Sequence, residues 1–230
     1  MIKEFFTQRI KRGLVRRLNN LKIAFVAREV ARKELKPGGA PVVFFKASTG
    51  IDDLSWNSGF HLLTSWAFRL QGTPVVYFAC DSGMSHCVLG TNRDNVRKEP
   101  PCKSCVYQSK TLYMGANPHW FTFERDKELE KALENLSIEE LSKFQWKLKS
   151  NHVVASPERA KQSPQELEIA SSQSMLLATL APDASAGVTL PLGALCLPGL
   201  RWVLRVHHLN DDESTRYLFR EYILSAWNVA

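Results

Sequence analysis

The sequence predicts an α/β protein: a parallel sheet flanked by helices, with a basic amphipathic helix ahead of it. Three observations predict this class. Val42–Phe45 and Val75–Cys80 are short apolar runs rich in β-branched and aromatic residues, which is how buried strands read. Between them Phe60, Leu63, Trp66, Ala67 and Leu70 recur at helical spacing, so residues 42–80 spell strand, loop, helix, strand. Such a unit joins a parallel pair through a crossover helix. Ahead of it, Ile2, Phe6, Ile10, Leu14, Leu18, Leu21 and Phe25 fall at helical spacing while Arg and Lys occupy the other faces.

The elements follow in order. The first helix covers residues 2–25 and its segment ends at Pro37-Gly38-Gly39. Its apolar stripe either docks on the body or lies on an anionic membrane surface. After the first strand comes a polar loop, Ala47 to Asp53, and the helix that follows ends at Gly72 as a C-cap. Pro74 opens the second strand. Cys102–Met114 reads as the next helix and Trp120–Phe123 as a short strand. Residues 126–150 are charged and helical, with Ser137-Ile138-Glu139-Glu140 forming a capping box. Val153–Ala155 is a further strand candidate, and Pro164 suits the first residue of a helix running to Leu180. Residues 181–200 are apolar and punctuated by Pro and Gly; helices are expected at Leu200–Leu209 and from Asp212 onward. The last stripe, Phe219, Ile223, Trp227 and Ala230, stops without a terminator, so the chain reads as the front part of a longer protein. The expected organisation is a helix over residues 1–36 and one domain over residues 41–230.

Composition bounds the function. The 230 residues are 44% hydrophobic and 23% charged, enough for one sizeable core. The net charge of +7 is concentrated: residues 1–36 hold eleven Lys and Arg against three Glu, which leaves the remainder near neutral. The body is therefore not a nucleic-acid surface. No secretory signal or membrane span is legible, since the best stretch, 184–200, carries two prolines and three glycines. A cytosolic location is expected, peripheral on the inner face of the membrane if the first helix binds there. No G-x-G-x-x-G, P-loop or G-x-S-x-G is present, against dinucleotide oxidoreductases, P-loop kinases and α/β-hydrolases.

Four of the five cysteines cluster as Cys80-x6-Cys87-x14-Cys102-x2-Cys105. A tetrahedral zinc ion needs four soft ligands from two short loops, and C-x2-C supplies one half in a common form. His86 could replace one thiolate. Reduced thiols packed in a core are the alternative, with an iron–sulfur cluster or redox pair behind it. Cys196 stands alone in an apolar segment and belongs to a core. Asp52, Asp53 and Asp81 follow predicted strands, where a catalytic carboxylate belongs in this architecture; Asp81 is the preferred base. Arg201, Arg205 and His208 fall at i, i+4 and i+7, a cationic stripe able to hold phosphate, with Trp202, Val206 and Leu209 expected to pack inward. Surface ion pairing explains the same stripe.

The stretch Leu70–Cys105, with CDSGMSHCVLGTNRD and PPCKSC, resembles bacterial glycosyltransferases of capsule and surface-polysaccharide biosynthesis. LRWVLRVHHLNDDESTRYLFREYILSAWNVA at the end is similar to the same group, so the resemblance covers roughly residues 41–123 and 188–230. It implies the GT-B fold, two Rossmann-like halves facing across a cleft, of which this chain would be the N-terminal, acceptor-binding half. The donor half would be missing. The acceptor, a surface polysaccharide or lipid-linked sugar, would sit at Ser48, Asp52, Asp53 and Asn57, and the donor would be a nucleotide sugar. The E-x7-E pair that marks donor sites of many such enzymes occurs twice, at Glu158/Glu166 and Glu213/Glu221. Neither follows a Gly-rich stretch, and neither is assigned a role. The alternative reading is a non-catalytic, zinc-stabilised interaction module whose basic helix binds a partner or membrane.

Overall fold

The computed structural model describes residues 2–36, 40–46, 55–147 and 189–230. It divides into two compact units, Met1–Arg125 with Asn228–Ala230, and Asp126–Trp227. The division falls inside the 41–230 segment expected as one domain, and it joins the first helix to the sheet.

The first unit comprises α1 (Ile2–Ala31), β1 (Val42–Lys46), α2 (Trp56–Leu70), β2 (Val75–Cys80), α3 (Cys102–Leu112) and β3 (His119–Phe121). The three strands form a parallel sheet in the order β1-β2-β3, with Val42 opposite Val75 and Phe78 opposite His119. Both crossovers progress in one direction, and right-handed connections then place α2 and α3 on the same face. The core agrees, because Leu62 of α2 and Leu112 of α3 close over Tyr77 and Ala79 of β2, with Tyr113 beside them. A mixed α/β architecture with helices flanking a parallel sheet is thus present, with both expected strands at their expected positions.

Two helices turn a different face inward than hydrophobic spacing suggests. Among the described side chains of α1 the buried ones are Asn20, Ala24, Ala27 and Val30. Small side chains let this helix approach α2 and α3 closely, and Asn20 exchanges amide hydrogen bonds with Gln108 at 3.2 and 3.4 Å. Ile10, Leu14, Leu18, Leu21 and Phe25, the stripe expected either to dock or to meet a membrane, face solvent; Leu21 and Phe25 are each 67% exposed. On α2 the expected stripe is likewise outward at Phe60, Leu63 and Leu70, with Trp66 the member that packs on the core, while Ser58, Leu62 and Ser65 are buried. Burying two serines is tolerable because they are bonded: the Ser65 hydroxyl donates to the Leu62 carbonyl at 2.7 Å and accepts from Tyr77 at 3.0 Å.

The second unit comprises α4 (Lys127–Leu133), α5 (Ile138–Ser142), β4 (Trp146–Lys147), β5 (Thr189–Leu190), α6 (Leu192–Leu204) and α7 (Glu213–Val229), whose last residues belong to the first unit. The expected capping box is formed, with Ser137 and Glu140 bonding each other's backbone. α6 corrects the expectation of a helix over 200–209. It runs earlier, through Pro198, because Leu192, Cys196, Leu200 and Val203 bury one continuous face. The expected strand 153–155, the helix 164–180 and the pair Glu158/Glu166 lie outside the described residues. Among the described residues no helix is long and apolar enough to cross a membrane.

Candidate metal centre at the sheet edge

β2 delivers its last residue, Cys80, to the carboxyl edge of the sheet. The ladder continues one residue further, as the Asp81 amide donates to the Phe121 carbonyl at 2.9 Å. The chain then turns sharply at Ser82, whose φ of 58° is left-handed and unusual for a non-glycine residue. Gly83 follows with its backbone against Phe121; a Cβ there would lie 2.6 Å from the Phe121 carbonyl oxygen. The 21 residues 81–101 form no helix or strand. Local bonds shape them: His86 Nε2 lies 2.8 Å from the Val96 carbonyl, Thr91 donates to the Cys87 carbonyl at 2.8 Å, and the Asn92 carboxamide accepts from the Asp94 and Asn95 amides.

This loop returns to α3 so that Cys80, Cys87, Cys102 and Cys105 line one cavity, with Pro100 and Pro101 in its wall. All are free thiols. Burial pushes Cys80 up to about 11, and the other three sulfurs push in the same direction. Burial raises Cys87 and Cys102 too, with Cys105 acting on both. Donors already point at them: the Gly83 amide at the Cys80 sulfur, 3.1 Å, and the Gly90 amide at the Cys87 sulfur, 3.3 Å. The Leu89 amide also reaches Cys87, and the Ser82 side chain hydrogen-bonds Cys102. Among the described residues, however, no three Cys, His, Asp or Glu side chains already meet as an ion-holding group. His86 is buried with Nε2 directed to Val96, so the thiols and not the imidazole carry the cluster.

Beside the cavity the strand ends gather charge. Asp81 lies 3.5 Å from Lys110 Nζ, which itself sits 5.6 Å over the Trp120 ring. Lys46, the last residue of β1, is lowered by burial and raised by its proximity to Cys105. His61 of α2 packs edge-on to Phe44 at 5.0 Å, with neither ring nitrogen in a hydrogen bond of good geometry. Burial first, and the Lys46 charge second, push it down, so the imidazole stays neutral at pH 7; the nearby Phe45 backbone opposes weakly.

The other expected site residues separate. Asn57 is exposed in the first turn of α2, and Ser48, Asp52 and Asp53 lie outside the described residues. The cationic stripe is corrected: α6 ends at Leu204, Arg205 adopts a left-handed φ of 56°, and His208 lies beyond the helix. Arg201, Arg205 and His208 therefore do not share a helical face, and Trp202, expected inward, is 64% exposed. Glu213 pairs with Arg216 and Arg220, and Glu221 is buried in the core of the second unit. Ser82, Lys46 and the glycines at 83 and 90 were not singled out by spacing alone. The repeated Cys-x2-Gly of Cys80/Gly83 and Cys87/Gly90 is the signal that could have found two of them, since it aims an amide back at a sulfur. Comparison of the chain with family models, curated proteins and solved structures found no match.

Proposed function

We propose that the chain is the acceptor-binding half of a GT-B glycosyltransferase, which moves a sugar from a nucleotide sugar to a surface-polysaccharide or lipid-linked acceptor. One observation carries the reading. Parallel strands bring Lys46 and Asp81 to the same carboxyl edge, with His61 beside Lys46, which is where parallel α/β sheets hold substrates. The resemblance of residues 70–105 to surface-polysaccharide enzymes supplies the reaction class. In that reaction a base takes the acceptor proton, the oxygen bonds to the anomeric carbon, and the nucleoside diphosphate leaves with the electrons of the broken bond. Asp81 is assigned as base, held in place by Lys110. His61, kept neutral by burial and the Lys46 charge, is the second candidate for the same role. Donor binding is assigned to a second half; among the described residues the only other sheet is the two-stranded antiparallel β4-β5.

The test is binding of the purified chain to an array of capsular and lipid-linked oligosaccharides. Retention of one glycan class is expected, weakened about tenfold or more by Asp81→Asn with the circular dichroism spectrum unchanged. Retention of nucleotide sugars and of no oligosaccharide would overturn the reading.

The second reading, a non-catalytic interaction module, is favoured by the outward apolar stripe of α1. Between Glu4 and Glu29 the sequence has seven Lys and Arg and no acid, the pattern of a helix that lies on an anionic bilayer.

A further inference from the structure

Unstructured segments as long as residues 81–101 are uncommon inside compact units unless something anchors them. Here both ends carry thiols. Cys80 is the last residue of β2, Cys102 and Cys105 occupy the first turn of α3, and Cys87 reaches the same cavity from within the loop. We propose that Cys80, Cys87, Cys102 and Cys105 bind a single zinc ion as a closed tetrathiolate centre that staples this loop to the sheet edge. The inference stands whether or not the chain handles sugars.

The chemistry of the donor set supports it. Four thiolates around a borderline-soft dication make a closed structural zinc site with no open position. Such a centre carries a net charge of −2, and the surroundings are built to offset it. The amides of Gly83, Leu89 and Gly90 and the side chain of Ser82 are aimed at the sulfurs. Cys102 and Cys105 sit at the positive end of the α3 dipole, and Lys46 adds a cation beside Cys105. These donors have little purpose around four neutral thiols, which accept hydrogen bonds weakly. Ser82 also adopts its left-handed backbone at the point that aims its side chain at Cys102, a local cost that a bound centre would offset. The sulfurs line one cavity without meeting. Rotation about each χ1 is the freedom that brings them together, and a dication supplies the attraction, since a coordinated thiol gives up its proton.

The test uses the whole chain, purified without chelator. Elemental analysis should find about one zinc per chain. Cobalt exchange should give the strong visible absorption of a tetrahedral cobalt thiolate. Cys87→Ser and Cys102→Ser should lose the metal, whereas Cys196→Ala should keep it. Because a serine variant can fail to fold, the wild-type chain supplies a second measurement. Stripping zinc with a chelator should open residues 81–101 to limited proteolysis, and zinc added back should restore protection. A folded wild-type chain without metal, whose loop resists proteolysis and whose four thiols react freely, would overturn the proposal. So would iron with inorganic sulfide in place of zinc.

Discussion

Gly83→Ala puts the smallest available change at the point where β2 gives way to the loop. Gly83 is not in a left-handed conformation, so an alanine backbone could adopt its angles; the obstacle is space. A Cβ would enter the Phe121 ring and lie 2.6 Å from the Phe121 carbonyl oxygen. Phe121 cannot yield easily, because its ring stacks on Phe45 at 5.4 Å and its carbonyl accepts from Asp81. The loop must therefore move. That breaks the Gly83 amide's bond to the Cys80 sulfur and the bond from Asn228 to the Gly83 carbonyl, 3.0 Å. Overpacking costs about 1–3 kcal/mol and each of the two lost hydrogen bonds about 1 kcal/mol, so a loss of about 3–5 kcal/mol is expected. For a chain of this size that is a midpoint drop of roughly 6–20 °C. Thermal unfolding followed by circular dichroism measures it, and zinc content is read on the same sample. A variant within about 0.5 kcal/mol of the parent would show that the loop is not pressed against Phe121.

Other perturbations test other parts of the chain. Burial pushes Cys196 up to about 12 from an ordinary 9.0, so the folded state keeps a proton that the unfolded chain releases. Stability should be full below about pH 9 and fall by up to about 4 kcal/mol by pH 12, with Cys196→Ala flattening the decline. Tyr77 and Tyr113 are raised by burial as well, so their unit should lose stability above the ordinary phenol value of 10.0. Leu18→Glu and Leu21→Glu, at exposed positions on α1, should leave the melting temperature unchanged but weaken salt-sensitive sedimentation with phosphatidylglycerol vesicles. Equal sedimentation of parent and variants would remove the membrane reading.

What the sequence disclosed followed the strength of local physics. β2 was legible to the residue because Pro74 opens it and an uninterrupted apolar run fills it. The Ser137–Glu140 capping box was legible because both of its bonds are local. Periodicity misplaced most of the inward face on α1 and α2, where Asn20, Ala24, Ala27, Ser58 and Ser65 are buried beside Val30 and Leu62 while Trp66 alone of the α2 stripe packs on the core: close packing and specific bonds outweigh hydrophobic area, and Tyr77 makes Ser65 a core residue. It failed on α6 because Gly193 and Pro198 read as breakers. Gly193 instead permits the backbone to press against the Leu141 carbonyl. The four thiols were named from spacing, but Lys46 was not, since the crossover through α2 and the turn into α3 are what bring it to Cys105.

The metal and the sugar chemistry meet in one stretch of backbone, and that makes them separable. Asp81 follows Cys80 directly; its amide is held by the Phe121 carbonyl, while among the described residues its carboxylate is steadied by Lys110, an exposed partner whose hold is weak in water. The carboxylate's aim therefore depends in part on the turn at Ser82 and Gly83, which the Cys80 sulfur anchors. If the loop is stapled by zinc, stripping the ion should weaken glycan retention in the parent chain, and adding zinc back should restore it. Asp81→Asn, by contrast, should weaken retention while the zinc content stays at one per chain. Weakened glycan binding in a chain that never held zinc would leave the carboxylate role standing and remove the staple. Full glycan binding by the stripped chain would detach the loop from the acceptor site and leave Asp81 held by β3 alone, through its amide bond to the Phe121 carbonyl.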